Sequence, residues 1–460
     1  MSDAIPDRLA SLAALRPARR TPPNPPRGLA PELPESSARL AELVGAQPRS
    51  NRFGEHLAVR RWFSDPIDAP PEETPLPCPV LRLLSPDAPE DAADPQTWLF
   101  LDTETTGTAG GSGTYAFLVG IAWWDAGGLE VEQFFMRDHS EEHAVLVSLA
   151  ERLAERRVLV TFNGKSFDWP LLETRYRMTR SILPPRLRAH LDFLHPARHL
   201  WRLRLGSVRL AELERHVLGW NRGADVMSEL IPAIYYDYLR GGAAEPLVPV
   251  FHHNQMDLRG LAGLALRVLA LLSDPETHGR DAFELFGVSR ICDRRGDSAR
   301  ARKLYARSIA PLAAPESSPV AAPGALNPPN PADPAAREAA IARQHQLPEA
   351  AGRIARRALA RLAKREGDLA AACEMWHAML GNSREGLEAY EQLAVHYEHR
   401  VRDLDRALGV TRRALAELRR SARLGIIAPS EHRQACLRFQ HRLARLERKS
   451  ALSSAPLLQP

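Results

Sequence analysis

Two carboxylates stand where an apolar run of the sequence ends. Asp102 and Glu104 follow the hydrophobic residues 98–101 and precede a Gly/Ser-rich loop, which is typical of a buried strand that ends at a turn. Residues two apart on a strand point to the same face, so two like charges are held together there. A divalent metal with oxygen ligands is the usual way to stabilise such a pair. Because a lone DxE also occurs in solvated turns, the metal prediction depends on further acids in the chain.

Two aspartates further along have contexts that could complete such a site. Asp168 begins a predicted helix directly after the strand at 158–162 and the turn Asn163-Gly164. The helix dipole favours an acid in the first turn, so Asp168 taken alone is equally well an ordinary first-turn residue. Asp257 lies near the start of a long helix with an apolar face. Strand-end and helix-start positions are the contexts that one shared site would require.

Two histidines precede Asp257 in the same predicted helix. At about 100° per residue, His253 and Asp257 lie roughly 40° apart on one face, whereas His252 lies roughly 140° from Asp257. Either imidazole could act as a general base, because imidazole titrates close to working pH. A lone histidine near a helix start is more often a surface residue. The helix geometry slightly favours His253 as the base.

The elements that must position these residues follow a characteristic order. Strands are predicted at 97–101, 116–124, 129–136, 158–162 and 191–193. The first three form an antiparallel meander, and a helix precedes and follows the fourth. Three antiparallel strands followed by helix, strand, helix and strand is the order of a ribonuclease-H-like α/β fold. We therefore expect a mixed five-stranded sheet with flanking helices.

Three short motifs resemble those of the DEDD superfamily of 3′-to-5′ exonucleases. The segment LDTETTG is similar to the first motif, FNGKSFD to the second and HHNQMD to the third, which in that superfamily reads HxxxxD or YxxxD. Residues 191–242 resemble more narrowly the bacterial YprB-like ribonuclease-H-like domains. The resemblance covers roughly residues 40–272.

The resemblance implies a centre with two divalent ions, Mg²⁺ or Mn²⁺. Its ligands would be Asp102, Glu104, Asp168 and Asp257. Ions about 4 Å apart activate a water on one side of a phosphodiester and stabilise the leaving oxyanion on the other. His252 fits the spacing HxxxxD, and His253 occupies the place of the tyrosine in YxxxD. The substrate-binding candidates are Thr103, Thr105 and Asn163.

The composition of the 460 residues is that of a soluble globular protein, with 44% hydrophobic and 25% charged residues, and the length predicts two or three domains. No run approaches the roughly 18–20 apolar residues of a membrane span, and the N-terminus has no compact apolar signal core. We therefore expect a cytoplasmic protein without a membrane partner. The four cysteines are widely spaced, so neither a disulfide framework nor a zinc site is predicted.

The net charge of +5 and the isoelectric point near 9.2 are compatible with a nucleic-acid partner but do not require one. Only four of the 61 basic residues are lysine. With the many Ala and Pro residues, this bias indicates a GC-rich genome rather than selection for phosphate binding, so the excess of arginine is discounted.

The pattern along the chain divides it into five segments. Residues 1–50 are rich in Pro, Ala and Arg and cannot bury enough apolar area to fold, so a disordered leader is expected. The expected segments are the leader 1–50, a lead-in 51–95, the ribonuclease-H-like domain 96–275, helical repeats 280–445 interrupted by a Pro-rich loop 311–335, and a flexible tail 446–460.

The repeat prediction rests on three helix pairs, each built around a turn that contains an aspartate. Asp368 and Asp403 are 35 residues apart, close to the tetratricopeptide period of 34, and Asp297 precedes Asp368 by 71 residues. An alanine follows each turn aspartate by four residues. These pairs resemble degenerate tetratricopeptide repeats, which stack to bury apolar surface that one helix pair cannot bury alone. A peptide-binding groove and a purely structural arm both remain open.

Together the motifs predict a metal-dependent 3′-to-5′ exonuclease that acts on single-stranded DNA or RNA ends. The repeat arm would recruit a protein partner or guide the substrate. The alternative is a catalytically weak or inactive nucleic-acid-binding scaffold, whose signature would be missing carboxylates. Endonucleolytic cleavage shares the same metal chemistry and differs only in its products.

Overall fold

The computed structural model describes residues 35–71, 75–107, 113–223, 225–309, 352–380, 383–425 and 429–453. Residues 1–34 of the predicted leader, the whole predicted Pro-rich loop 311–335 and residues 454–460 of the predicted tail lie outside the described residues. The described chain has an α/β part up to residue 273 and an all-helical part that follows it.

The α/β part is built on one open, mixed sheet. Its strands are β1 (Gln47–Asn51), β2 (Gly54–Phe63), β3 (Trp98–Thr105), β4 (Ala116–Asp125), β5 (Gly128–Phe135), β6 (Val158–Thr161) and β7 (Ala189–Asp192). Their spatial order is β1-β2-β5-β4-β3-β6-β7. β3, β6 and β7 are parallel to one another, and the other neighbours are antiparallel. The predicted fold class is confirmed, with seven strands instead of five.

The two additional strands come from residues expected to be leader and lead-in. β2 buries Leu57 and Val59 and pairs with β5, so it extends the meander beyond the predicted sheet. Helix α1 (Glu35–Val44) precedes this hairpin and buries Leu40 and Val44. The disorder expected for residues 1–50 rested on the Pro-rich composition of their first part. Residues 35–51 have amphipathic spacing and form a helix and a strand instead.

The helices of the α/β part lie on both faces of the sheet. After α1 they are α2 (Cys78–Leu84), α3 (Glu142–Glu155), α4 (Asp168–Thr179), α5 (Leu194–Leu200), α6 (Arg202–Leu205), α7 (Leu210–Leu213), α8 (Ile231–Leu239) and α9 (Val248–Ser273). Short 3-10 turns lie at Pro66–Asp68, Glu90–Ala93, Pro95–Thr97, His139–Glu141, Ser228–Leu230 and Glu245–Leu247, and a π turn lies at Glu214–Leu218. One core contains α1, α3, α4 and α8, and the other contains α2, α5 and most of α9.

Helix α9 is the element that brings distant residues to the sheet. It is 26 residues long and buried along most of its length. It can approach β4 closely because Gly120 has no side chain, and a Cβ atom there would lie 2.0 Å from Oδ1 of Asn254. This contact fixes the first turns of α9 against the middle of the sheet.

The all-helical part continues directly from α9. It contains α10 (Pro275–His278), α11 (Ala282–Arg294), α12 (Ser298–Ile309), α13 (352–366), α14 (Leu369–Met379), α15 (Ser383–His396), α16 (Leu404–Arg423) and α17 (Pro429–Ser453), with a π turn at Tyr397–Val401. The side chains of Asp368 and Asp403 cap helices α14 and α16, because each accepts a hydrogen bond from a backbone N–H group in the first turn. This region confirms the all-α component of the fold class, while its assignment to tetratricopeptide repeats stays a prediction. None of the described helices is long and apolar enough to cross a membrane.

The first helix pair of this region shares a core with the α/β part. Side chains of α11 and α12 belong to the same buried cluster as α5 and α9. Trp201 donates its indole N–H to Oε1 of Glu284 at 2.9 Å, and both side chains are fully buried. Gly287 allows the close packing, because a Cβ atom there would lie 2.7 Å from Cα of Leu200. Helices α11 and α12 are therefore fixed to the sheet that carries the candidate site.

Candidate metal centre

Four acidic side chains from three elements converge near the carboxyl end of β3. The parallel register pairs Phe100 with Val160, so Asp102 lies level with the residue that follows β6. Helix α4 begins six residues later with Asp168, and Oγ1 of Thr103 donates to Oδ1 of Asp168 at 2.6 Å. Glu104 and Asp257 reach the same place from β3 and α9. Glu104 is buried and the other three acids are partly buried.

The four acids act on one another electrostatically. Desolvation raises the pKa of Asp102 well above its ordinary value, and the charges of Asp257, Glu104 and Asp168 raise it further. Burial raises the pKa of Glu104 to about 8, although His253 opposes the shift. Desolvation also raises the pKa of Asp168, against the hydrogen bond from Thr103. A divalent cation bound among these acids would offset this repulsion and favour their charged forms.

His253 lies inside this cluster, one turn of helix from Asp257. Its Nε2 lies 3.4 Å from Oδ2 of Asp257 and 3.9 Å from Oε1 of Glu104. Ligand atoms of these three residues all lie within 4.8 Å of one another, which suits a metal ion. Burial alone would lower the pKa of His253, but Asp257, Glu104 and Asp225 together raise it. His252 is exposed, so the helical phase inferred from the sequence holds.

Asp102 is held by a chain of buried amides. Nδ2 of Asn254 donates to Oδ2 of Asp102 at 2.8 Å and to its backbone carbonyl at 3.3 Å. Nε2 of Gln133 donates to Oδ1 of Asn254 at 2.7 Å, and Nε2 of Gln255 donates to Oε1 of Gln133 at 2.8 Å. Because the side-chain oxygen of Asn254 already accepts a hydrogen bond from Gln133, the amino group of Asn254 must face Asp102. The network fixes one oxygen of the carboxylate.

Arg222 provides positive charge at the edge of the cluster. Its Nη2 lies 2.7 Å from Oδ1 of Asp257, and its Nη1 lies 3.2 Å from Oδ2 of Asp225. Its Nε donates to Oε2 of Glu214 at 2.7 Å. Burial alone would lower the pKa of Arg222, but Glu214 and Asp257 raise it above its ordinary value. Arg222 therefore stays charged and orients Asp257.

The predicted substrate-binding residues have local roles that the structure shows. Thr103 holds Asp168, as described above. Oγ1 of Thr105 donates to the carbonyl of Gly107 at 3.0 Å. Asn163 has a left-handed backbone with φ of 69°, and its N–H donates to Oδ1 of Asp192 at 2.8 Å. Thr105 and Asn163 thus shape the turns beside the site, and their contact with substrate stays a prediction.

Sequence analysis missed three residues that hold the cluster, namely Asn254, Arg222 and Asp225. The sequence contained a usable signal for Asn254. This polar residue lies between His253 and an apolar stretch of helix, and a polar residue that is buried seldom lacks a hydrogen-bond partner. Arg222 and Asp225 lie between α7 and α8 in a segment without periodicity. Nothing in their local sequence indicates where their side chains lie.

The chain is similar to several known proteins. Residues 99–268 match the RNase_H_2 family of the RNase_H superfamily. The chain is 35% identical over 185 residues to the uncharacterized protein YprB of Bacillus subtilis, a match that covers 39% of this chain. The chain spans 44% of the length of that relative. A family B DNA polymerase from Pyrobaculum calidifontis is similar with a TM-score of 0.33 and 17% identity, over 46% of this chain and 29% of the polymerase.

The family match and the sheet topology show a ribonuclease-H-like domain in the N-terminal part of the chain. Members of that superfamily are usually nucleases and typically use divalent metals. The acids of this chain fit divalent ions, because carboxylate oxygens are the ligands that hard divalent cations prefer and the acids repel one another. Membership of the DEDD subclass stays a prediction.

Proposed function

We propose that this protein is a metal-dependent 3′-to-5′ exonuclease that hydrolyses phosphodiester bonds at single-stranded DNA or RNA ends. The convergence of four carboxylates and one histidine near the carboxyl end of β3, in the middle of a ribonuclease-H-like sheet, carries the proposal. The direction is supported by the three motifs that contain these residues, because they resemble those of the DEDD exonucleases.

The ligands that we propose for two divalent ions, Mg²⁺ or Mn²⁺, are Asp102, Glu104, Asp168 and Asp257. When bound, such ions would lower the pKa of a water and stabilise the charge that develops on the leaving oxygen. The protein's own part is to hold the carboxylates ready. Thr103 fixes Asp168, Asn254 fixes Asp102 and Arg222 fixes Asp257.

His253 is the residue that we propose accepts the proton from the attacking water. Its Nε2 faces the carboxylates of Asp257 and Glu104, and its other nitrogen is engaged by Asp225. His252 is exposed, and none of the described contacts joins it to the carboxylates. The geometry therefore supports His253 over His252 as the base.

Product analysis tests the proposal. The protein is incubated with 3′-labelled and 5′-labelled single-stranded DNA and RNA in Mg²⁺, Mn²⁺ or chelator, beside the Asp102→Asn variant. A circular single strand is the matched substrate without an end. We expect metal-dependent shortening from the 3′ end, an intact circle and no shortening by the variant. Cleavage of the circle would instead show an endonuclease.

A nucleic-acid-binding scaffold with weak or no turnover is the second candidate function, and the ion pair between Arg222 and Asp257 favours it. One oxygen of a proposed metal ligand is engaged by a protein cation at 2.7 Å. The helical region would then recruit a protein partner to a bound strand. Binding of the same oligonucleotides without hydrolysis in either metal would support this function and exclude the first.

A further inference from the structure

Asp225 makes the shortest contact with His253 among those described for that ring. Its Oδ1 lies 2.7 Å from Nδ1 of His253, and the carboxylate comes from the segment between α7 and α8 rather than from the sheet. Asp225 is not one of the four acids of the cluster. Its contact is with the histidine nitrogen that faces away from them.

The two nitrogens of this ring have different surroundings. A carboxylate can only accept a hydrogen bond, so the short contact with Asp225 requires a proton on Nδ1. In the neutral ring, Nε2 then carries the lone pair, 3.4 Å from Asp257 and 3.9 Å from Glu104. We propose that Asp225 is a positioning residue that holds the proton on Nδ1 of His253 and directs the Nε2 lone pair into the cluster. This inference rests on the proposed function.

Asp225 itself is held as an anion in a fixed place. Nη1 of Arg222 lies 3.2 Å from its Oδ2, and the backbone N–H of Val226 donates to its Oδ1 at 2.9 Å. Although burial raises the pKa of Asp225, its contacts with His253 and Arg222 keep it below the ordinary value. A carboxylate that stays charged is the acceptor that a positioning role requires.

The segment that carries Asp225 is also anchored to α9, the helix of His253. Arg222 binds Asp257 of α9 and Glu214, and Glu214 packs against α9 at Gly260, where a Cβ atom would lie 1.9 Å from its Oε1. The donor His253 and the acceptor Asp225 are therefore both held in place by α9. Such pre-organisation holds a catalytic group in one geometry.

A spectroscopic measurement tests the proposal without relying on turnover. The full chain is labelled with ¹⁵N-histidine, and two-bond nitrogen–proton correlations are recorded in chelator at a pH where the ring shifts no longer change. The His253→Gln variant assigns the signal. We expect the tautomer protonated at Nδ1 in the native protein and loss of that preference in Asp225→Asn. A native ring protonated at Nε2 would overturn the proposal, even if Asp225→Asn failed to fold.

Kinetics separate positioning from a structural role. If the proposed nuclease activity is present, Asp225→Asn is expected to lower kcat by about 10- to 100-fold and to leave KM for the oligonucleotide within about twofold. Asp237→Asn is the matched control, because Asp237 is an exposed acid paired with an arginine and lies away from the cluster. An unchanged kcat in Asp225→Asn would refute the role. Absence of turnover in the native protein would refute the proposed function while the tautomer measurement still decides this inference.

Discussion

Adding one methyl group at Gly120 is expected to disturb the candidate site through Asn254. A Cβ atom at this position would lie 2.0 Å from Oδ1 of Asn254, whereas ordinary contacts begin near 3.4 Å. The amide must therefore move by more than 1 Å. That displacement breaks its 2.8 Å bond to Asp102 and the 2.7 Å bond that it accepts from Gln133.

The size of the effect follows from the two broken contacts. An unsatisfied buried polar group costs about 1–3 kcal/mol, so Gly120→Ala is expected to lower the free energy of unfolding by about 2–6 kcal/mol. Because Asn254 no longer orients Asp102, the variant should also bind Mg²⁺ more weakly. Gly409→Ala is a control, because its Cβ atom would meet nothing within 4 Å and alanine favours a helix.

A double-mutant cycle with Asn254→Ala identifies the cause. The three atoms nearest to the added Cβ all belong to the Asn254 amide group, so truncating that side chain removes the clash. In the Asn254→Ala background, Gly120→Ala should cost less than about 1 kcal/mol, which corresponds to a coupling of at least about 1 kcal/mol. Urea denaturation of the four proteins measures it. Additive losses would show that the clash acts elsewhere and would refute the reasoning.

Three further predictions concern single positions. Because burial raises the pKa of Glu104 to about 8, folding at neutral pH must protonate this acid at a cost in free energy. Glu104→Gln removes that cost, so it should raise the melting temperature in chelator and reduce the further rise that Mg²⁺ causes, and equal Mg²⁺ shifts in both proteins would contradict this. Burial and the charges of Arg49 and Arg137 lower the pKa of His56 to about 4. The neutral ring therefore contributes about 3 kcal/mol to the free energy of unfolding above about pH 6.5, and this contribution is lost as the pH falls towards 4. His56→Phe should flatten the dependence of the free energy of unfolding on pH in that window, and an unchanged slope would refute the assignment. Gly287→Ala should cost about 1–3 kcal/mol, because its Cβ atom would meet the backbone of α5, and a neutral effect by urea denaturation would show that α11 can shift.

The sequence was sufficient where the signal was periodic. The alternation around Asp102 and Glu104 predicted that both carboxylates lie on one face of a strand, and the structure places both in the same cluster. Helical phase predicted that His253 faces Asp257, and their atoms lie 3.4 Å apart. Strand order likewise predicted the fold class. These features are local, so a window of a few residues contains the information that determines them.

Other features depend on contacts that no local window contains. Arg222 and Asp225 reach the cluster from a segment without periodicity. Their contacts with Asp257 and His253 of α9, and the packing of Glu214 against that helix, fix their place. β1 was missed and β2 was indicated only by a weak strand-like pattern at 56–63, because the burial of β2 depends on pairing with β5, about 70 residues further along. The shared core of α11, α12 and the sheet was missed for the same reason, since helical periodicity reveals an apolar face but not its partner.

The central claim is that the four carboxylates form a metal-dependent catalytic centre, and the rate of phosphodiester hydrolysis in one variant tests it most directly. Hydrolysis of a labelled single strand is measured in Mg²⁺, Mn²⁺ and chelator for the native protein, Asp168→Asn and the surface control Asp237→Asn, with thermal unfolding to establish that each is folded. We predict activity only with metal, a loss of at least about 100-fold in Asp168→Asn and no change in Asp237→Asn. A folded Asp168→Asn variant that hydrolyses the strand at the native rate would contradict the account.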